Sequence, residues 1–286
     1  PGSSTYDIYT GFAESWTPSW RSIGGIGPIM TLGCCDIIKP LSRTLLPSAG
    51  YSSELSGTRV THVLNDVGWN ATERSIDAGQ TTLQATGTLT NTFAMSHLYS
   101  VQDSELGLLW QRGDGYVMYQ DRYARTKGIY INPQATFSDV LTGSNQPYQN
   151  IIWIYDDQYL FNDVTVTTTG GTPQNAQDSS SITAYGTRSM MRTGLLMTTD
   201  QDALGEAQTM LVFYKNPFFR AKNILIRGLR DTSGGFDLWS KTLGYEISYQ
   251  IAVNLTQASV TQNYFIEAIS HTVDVVNRTW DTQWEL

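Results

Sequence analysis

The sequence predicts an α+β protein in which strands predominate. Short apolar runs interrupted by glycine and proline recur through most of the 286 residues, and this pattern is typical of strands. Only three segments place apolar residues at the spacing of three and four that a helix needs. Charged residues make up 15% of the chain, and so low a content favours a β-rich protein or one that covers much of its surface with partners.

Residues 1–53 are predicted to contain short strands. Tyr6, Ile8 and Thr10 share one side of an alternating pattern, and residues 29–38 form an apolar run. Proline and glycine punctuate the segment at regular points, as they do between strands. The sequence therefore predicts a β region at the start of the chain.

Residues 54–125 predict a small domain of two helices and a hairpin. The first helix begins near Ser56, and Gly68 lies where a glycine commonly follows a helix. Its apolar stripe comprises Val60, Val63, Leu64 and Val67. A second helix is predicted over residues 91–106, with Gly107 ending it. Asp114 lies between two glycines and two alternating runs, which is a strong signal for a β-hairpin.

Residues 126–286 predict a mainly β domain with one long helix, over residues 200–215. Thr199 and Asp202 have the spacing of a capping box at the start of that helix, and Pro217 stops it. Residues 172–181 are polar and rich in turn formers, so an exposed loop is predicted there.

The remaining segments of this domain alternate as strands do. Residues 151–155 predict a buried strand, residues 162–169 a Thr/Val strand, and residues 224–227, 247–253 and 264–273 further strands. The last residues predict a half-buried closing strand. One face of that strand comprises Trp280, Thr282, Trp284 and Leu286.

The charge balance excludes some classes of function. The net charge is −8 and there is no Lys/Arg-rich run, so specific nucleic-acid binding is not expected and DNA is compatible only as passing cargo. No apolar run approaches the ~18 residues that a membrane span needs. The three Asn-x-Ser/Thr sequences at Asn70, Asn254 and Asn277 are taken as chance, because no secretion signal accompanies them.

The two cysteines, Cys34 and Cys35, are neighbours in the sequence. Neighbouring side chains on a strand point to opposite faces, so a disulfide between them would be strained. We therefore predict two free thiols, at least one of them buried. Nothing resembles a disulfide framework or a Cys-x-x-Cys metal site.

No catalytic, cofactor-binding or metal site is predicted. His62, His97 and His271 are predicted to lie on two helices and a strand, without the spacing of a zinc site, so structural roles are expected for them. Asp156 and Asp157 are adjacent, and adjacent side chains on a strand diverge too far to flank a glycosidic bond together, so a turn or strand-end cap is predicted.

Two glycine-containing motifs are also predicted to be structural. Gly113-Asp114-Gly115 lacks the oxygen ligands that a 12-residue calcium loop would supply, so turn chemistry explains it. Gly24-Gly25 is not placed between a strand and a helix as a dinucleotide-binding motif would be, and a loop is predicted.

Tryptophan supplies the one feature of the sequence that could form a binding platform. Trp16, Trp20, Trp280 and Trp284 lie near predicted strand ends, where aromatic rings could stack on a carbohydrate. The alternative is packing in a core or an interface, which the strict alternation of Trp280 and Trp284 favours.

The order of these elements resembles the tail hub and minor tail proteins of long-tailed bacteriophages, relatives of the baseplate hub. The resemblance covers most of residues 55–286, and it is carried by an ordered set of short blocks. These blocks are residues 60–68, Arg74 to Gly79, Ser104 to Gly107, Tyr155 to Asp157, Asn162 to Thr167, Ser181 to Arg188, the helix ending in Tyr214 and Pro217, Leu243 to Ile247, Tyr264 to His271, and Trp280 to Leu286.

The resemblance implies tail-tube-like β-barrel domains with a small inserted helical domain and one long helix packed on the C-terminal barrel. Residues 1–53 would be a partial barrel, its other strands missing or supplied by another chain. Residues 54–125 would be the insert and residues 126–286 the second barrel.

The function that the resemblance implies is a structural subunit of a phage tail tip, located in the virion. Copies of the chain would assemble as a ring, often a homotrimer, around the channel through which DNA passes. Distal tail, tape-measure and fibre or spike proteins are the expected partners, and no cofactor or enzymatic activity is expected. A receptor- or carbohydrate-binding tail-tip module is the alternative. A glycan hydrolase would need two convergent carboxylates, and the sequence does not place them.

Overall fold

The computed structural model describes residues 5–20, 28–47, 49–227 and 238–286. Strands predominate in these residues, as the sequence predicts. The strands are β1 (Phe12–Ser19), β2 (Ile29–Cys35), β3 (Glu54–Leu55), β4 (Arg74–Ile76), β5 (Thr82–Leu83), β6 (Leu108–Gln111), β7 (Val117–Gln120), β8 (Ala135–Ser138), β9 (Asn150–Ile154), β10 (Asp163–Thr168), β11 (Gln174–Gln177), β12 (Ser189–Leu195), β13 (Arg220–Arg227), β14 (Gln250–Leu255), β15 (Val260–Phe265), β16 (Ala268–Asp274) and β17 (Thr279–Glu285). The α-helices are α1 (Ile38–Leu41), α2 (Ser56–Asp66), α3 (Ala94–Glu105), α4 (Ser179–Tyr185), α5 (Asp200–Tyr214) and α6 (Leu238–Gly244).

Two sheets near the C-terminus share one hydrophobic core. The larger sheet has the strand order β16-β17-β13-β9, and the smaller has the order β15-β14-β8. Trp284 on β17 is fully buried, and its ring meets Phe137 of β8 edge to face at a centroid distance of 5.6 Å. The alternation that predicts a half-buried closing strand is thus confirmed at Thr282 and Trp284. Among the described residues these sheets do not close into one hydrogen-bonded barrel.

The third sheet, in the order β11-β10-β12, carries the long helix. The Thr199 side chain accepts the first-turn amide of Asp202, so the predicted cap is confirmed. One face of α5 buries Ala203 and Ala207 against Val164 and other β10–β12 residues. The apolar stripe of the helix thus covers the β10–β12 sheet, which lies within residues 126–286, and not the two-sheet core. The packing of this helix on a C-terminal barrel stays a prediction.

The predicted loop at residues 172–181 is wrong. Its polar residues form β11, which pairs with β10, and the first turn of α4, which the Asp178 side chain caps through the Ser181 amide. An edge strand needs no apolar face of its own, since its partner strand supplies the burial. Strand 151–155 is also less buried than predicted, because β9 lies at an edge of its sheet.

The helices and hairpin predicted between residues 54 and 125 are confirmed. Gly68 has the left-handed φ of +74° expected after a helix. The second helix ends differently from the prediction, because Leu106, not Gly107, is the left-handed residue. Gly107 is a glycine for a steric reason instead, because a Cβ at this position would lie 2.6 Å from the backbone oxygen of Gln120 on β7.

The first part of the chain is a two-stranded ribbon, β1 paired with β2. The alternation predicted for Tyr6, Ile8 and Thr10 does not form a strand, although the Thr10 hydroxyl donates to the Gly113 carbonyl. The loop predicted at Gly24-Gly25 lies outside the described residues.

Hydrophobic packing divides the described chain into three clusters. One is built on α2 and α3, one on the two C-terminal sheets and one on α5 with the β10–β12 sheet. The cluster on α2 and α3 also takes in Ile37, Leu41 and Leu46, which precede residue 53. The division at residues 53 and 125 stays a prediction.

Candidate assembly surfaces

Helices α2 and α3, with the hydrophobic cluster built on them, form what we call the helical unit, and each helix carries a histidine that stacks on the ring of Tyr51. His62 on α2 and His97 on α3 flank the Tyr51 ring, with centroid distances of 6.4 and 5.6 Å. The His62 Nδ1 is 2.8 Å from a carboxylate oxygen of Glu54, which also pairs with the fully buried Arg59. Burial, together with the guanidinium of Arg59, lowers the pKa of His97 to about 4, so this side chain is neutral at physiological pH. The sequence does not predict that the two histidines lie close together, because the residue that contacts both rings, Tyr51, belongs to neither helix.

His271 lies on β16, as the prediction of a strand position requires. Its Nδ1 is 2.8 Å from the hydroxyl of Thr282, and its ring meets Trp280 edge to face. Burial lowers the pKa of His271. This contact places Trp280 in packing, and Trp284 is a core residue.

Asp156 and Asp157 form a turn after β9. The Asp156 carboxylate accepts the backbone amide of Gln158 and a guanidinium N–H of Arg220 at 3.2 Å. Asp157 is exposed and lies 3.6 Å from Arg188. The two carboxylates therefore neutralise different cations and do not face one site.

Asp114 also has the predicted turn role. It accepts the Tyr116 amide and a bond of 2.9 Å from the Arg112 Nε, and the hydrogen bond from Arg112 lowers the pKa of Asp114. Within the described part of the chain, no three His, Cys, Asp or Glu side chains lie close enough to hold a metal ion. Likewise, no helix in the described ranges combines the length and apolar character needed to cross a bilayer.

The β1–β2 ribbon carries an exposed apolar surface, which we call the apolar ribbon face. It comprises Trp16, Pro18, Met30, Leu32 and Cys34. The register pairs Trp16 with Leu32 and Pro18 with Met30, and cross-strand partners share a face of a ribbon. Trp16 is 64% exposed, Met30 55% and Leu32 45%. An exposed set of contiguous apolar side chains is typical of an interaction surface.

The opposite face of the ribbon is polar in its middle, where Ser15, Thr17 and Thr31 lie. An isolated two-stranded ribbon is marginally stable in water, and every residue of β1 is exposed. The ribbon is thus amphipathic, with its apolar side facing solvent in the single chain. Cys34 and Cys35 are free thiols, as predicted, but Cys34 is exposed and Cys35 is only half-buried, because the ribbon has no core beneath it.

The four-stranded sheet presents a second surface, the polar sheet face, on the side away from its core. Cross-strand register identifies its members, since the residues that alternate with them, such as Ile224 and Trp284, are buried. The members are Asn223 and Arg227 on β13, Asp281, Gln283 and Glu285 on β17, and Ser270 and Thr272 on β16. Leu225 and Ile152 interrupt the face near β9. The Arg227 guanidinium donates two bonds to Asp281, of 2.8 and 3.0 Å, so its charge is neutralised locally.

The described residues thus combine two packed C-terminal sheets, a third sheet under a long helix, and a helical unit built on α2 and α3. No protein-family model matches the sequence, and no curated protein matches it. Solved structures do match, and the identities, well below 25%, show a shared fold.

The matching structures include tail proteins of bacteria and of their prophages, and a chain of a virion particle. A tail protein from Neisseria meningitidis MC58 is 12% identical with a TM-score of 0.64, and the match covers 97% of this chain and 80% of that one. The 43 kDa tail protein of prophage MuSo2 from Shewanella oneidensis is 16% identical with a TM-score of 0.62, covering 97% and 79%. A chain of the native gene transfer agent virion is 10% identical with a TM-score of 0.53, covering 92% and 61%. The resemblance to phage tail proteins is thereby confirmed in fold.

Proposed function

We propose that the chain is a structural, non-enzymatic subunit of a bacteriophage tail tip, in the tail hub or baseplate of the virion. Copies of it form a homotrimeric ring around the tail channel. The ring links the tail tube to the host-recognition apparatus, with distal tail, tape-measure and fibre or spike proteins as neighbours. In this proposal residues 1–53 contribute to one tube-like barrel and residues 126–286 to a second.

The observation that carries the proposal is the apolar ribbon face. Burying apolar surface stabilises association by roughly 25 cal/mol per Å². None of the three hydrophobic clusters of the described residues includes the apolar ribbon face, so this gain is not made within the described chain. Covering the face requires another polypeptide segment, and a ring of subunits supplies one at every junction. The fold shared with tail proteins supports the same conclusion.

The polar sheet face supports the assignment of a channel wall. Hydroxyl, amide and carboxylate side chains make up all but one of its polar members, and the remaining member, Arg227, is paired with Asp281. The ion pair neutralises the charge of Arg227, which is then not available to hold a phosphate backbone, and the net charge of −8 repels DNA. DNA would therefore pass without being retained.

The test is the mass of the particle in solution, measured by light scattering and native mass spectrometry, with rings sought by electron microscopy. We expect a trimer, and we expect Leu32→Thr on the apolar ribbon face to weaken it at least tenfold. The matched control is Thr31→Ser on the opposite face, which should leave the mass unchanged. A monodisperse monomer at high concentration, with no rings in micrographs, contradicts the proposal.

A carbohydrate- or receptor-binding tail-tip module is the second candidate, and one observation favours it. Trp16 and Trp20 are 64% and 75% exposed, as residues that stack on a sugar must be. Binding on a glycan array that is lost in both Trp16→Ala and Trp20→Ala, with Trp280→Ala retaining it, would establish this role. If the wild-type chain binds no glycan on the array, this second candidate is rejected, and Trp16 and Trp20 are assigned to assembly contacts.

A further inference from the structure

Glu206 is a buried acid at a junction between elements that are distant in the sequence. It lies on α5 between the buried Ala203 and Ala207 and is 1% exposed. Neither of its carboxylate oxygens makes a directed hydrogen bond to a donor among the described residues. Its nearest cation is Arg192 of β12, whose Nη1 lies 2.9 Å from the carboxylate.

Arg192 has a second acidic neighbour on another element. Its Nη2 lies 3.4 Å from the carboxylate of Asp103 on α3 and donates to the backbone carbonyl of the same residue at 3.1 Å. The Asp103 side chain is 55% exposed, whereas that of Glu206 is fully buried. One guanidinium thus serves two carboxylates, one on each side of the junction.

The same junction is held by uncharged contacts, so it persists whichever carboxylate Arg192 serves. The Leu196 amide, just after β12, donates to the Ser104 hydroxyl on α3 at 2.8 Å. Nearby, the Gln84 amide donates to the Leu196 carbonyl at 2.7 Å.

We propose that Glu206 and Asp103 compete for Arg192, and that this competition makes the packing of α3 against β12 and α5 change with pH near neutrality. When Glu206 is protonated, Arg192 is free to serve Asp103, and the end of α3 is held to β12. When Glu206 is ionised, the buried carboxylate draws the guanidinium toward α5, and the contact with α3 loosens.

The electrostatic surroundings of Glu206 support this pH range. Burial raises the pKa of Glu206 to about 7, and the nearby guanidinium groups of Arg192 and Arg122 only partly offset the rise. Asp103 and Glu105, which face it from α3, add to the rise. Strands β10 and β11, which pack against α5, carry one ionisable side chain, Asp163. Its carboxylate lies at the first residue of β10 and accepts hydrogen bonds from Asn175, Gln177 and Ser189.

Hydrogen exchange followed by mass spectrometry at pH 6 and pH 8, corrected for the intrinsic exchange rates, tests the proposal. We expect protection of residues 98–107 to fall about two- to fivefold between the two pH values, as the partial loss of a half-exposed ion pair implies. Glu206→Gln should abolish the change, and Glu285→Gln, an exposed control, should keep it. A wild-type chain without the change, or a Glu206→Gln chain that retains it, overturns the proposal.

A second variant keeps the test decisive if Glu206→Gln fails to fold. Asp103→Asn removes an exposed carboxylate that raises the pKa of Glu206. We therefore expect the midpoint of the exchange change around residues 189–197 to move to lower pH in Asp103→Asn. A midpoint that stays where it is in the wild-type chain rejects the competition between the two acids, because a purely structural role would not set the midpoint.

Discussion

Replacing Glu105 by Gln should destabilise the helical unit by about 3–5 kcal/mol, the usual cost of breaking a buried charge pair. The Glu105 side chain is fully buried, and one of its oxygens accepts the Ser56 hydroxyl at 2.7 Å and the amides of Thr81 and Gln80 at 2.7 and 3.0 Å. The other oxygen accepts the Arg122 Nε at 3.2 Å. Each of these four bonds loses about 1 kcal/mol when the acceptor becomes neutral, because hydrogen bonds to charged groups are about twice as strong.

The pH dependence of this effect has a definite sign. Burial alone would raise the pKa of Glu105, but the bonds from Ser56, Thr81, Gln80 and Arg122 outweigh it, and the pKa is lowered. A lowered pKa in the folded state contributes stability above the ordinary range of a glutamate and loses it as the pH falls through the folded value. The difference between wild type and Glu105→Gln should therefore be full at pH 7 and shrink in acid.

Urea unfolding followed by tryptophan fluorescence and circular dichroism at pH 7 and pH 4 measures both effects. Glu285→Gln, which removes an exposed carboxylate, serves as the control and should change the unfolding free energy by less than about 0.5 kcal/mol. A loss below about 1 kcal/mol for Glu105→Gln at pH 7, or an equal loss at both pH values, would refute the reasoning.

Three further predictions probe the fold by the same unfolding assay. Trp284→Ala should lower the free energy of unfolding by about 3–5 kcal/mol, because it leaves a cavity in the core of the two C-terminal sheets. Trp16→Ala on the exposed ribbon should lower it by less than about 0.5 kcal/mol in the single chain. Equal losses would contradict the assigned core. Thr199→Ala should cost about 1 kcal/mol, since it removes the cap that accepts the Asp202 amide at 3.1 Å, and no loss would contradict the cap. Ser259 has a left-handed φ of +53° and is exposed, so Ser259→Gly should gain up to about 1 kcal/mol and Ser259→Val should lose stability; the reverse order would contradict the backbone assignment.

Local patterns in the sequence predict the elements well where one element buries its own apolar face. The stripe at Val60, Val63 and Leu64 predicts α2, and all three side chains are fully buried. The Asp-Gly turn predicts the β6–β7 hairpin, and Thr199 predicts the start of α5. In each case the signal and the contacts that produce it lie within a few residues of one another.

The patterns fail where burial is supplied from a distance. Strand β11 is polar and its sequence predicts a loop, because the pairing comes from β10 and the cover from α5. The partner sheet of α5 could not be predicted either, since any apolar face would satisfy the stripe at Ala203 and Ala207. Alternation does not predict the exposed thiol of Cys34 either, because it does not reveal that a ribbon has no layer beneath it.

The positions of the buried acids Glu105 and Glu206 in their helices indicate that each acid has a partner. Glu105 is the last residue of α3, at the end of the helix where its dipole disfavours a negative charge. Glu206 lies three residues after Ala203 and four before Met210, on the apolar stripe of α5. An acid in either position implies a partner elsewhere in the chain. The sequence does not say which arginine that is, since Arg122 and Arg192 are adjacent to these acids only in the folded chain.

The burial of charges also bears on assembly. Only 15% of the residues are charged, and Arg59, Glu105, Asp121 and Glu206 are buried within the fold. The surface is therefore poorer in charge than the composition alone indicates. Hydration keeps a surface monomeric chiefly through its charged groups, so a surface with few of them and with an apolar ribbon face has a low desolvation cost on association. This is the physical reason to expect that the chain functions between neighbours rather than as a free molecule.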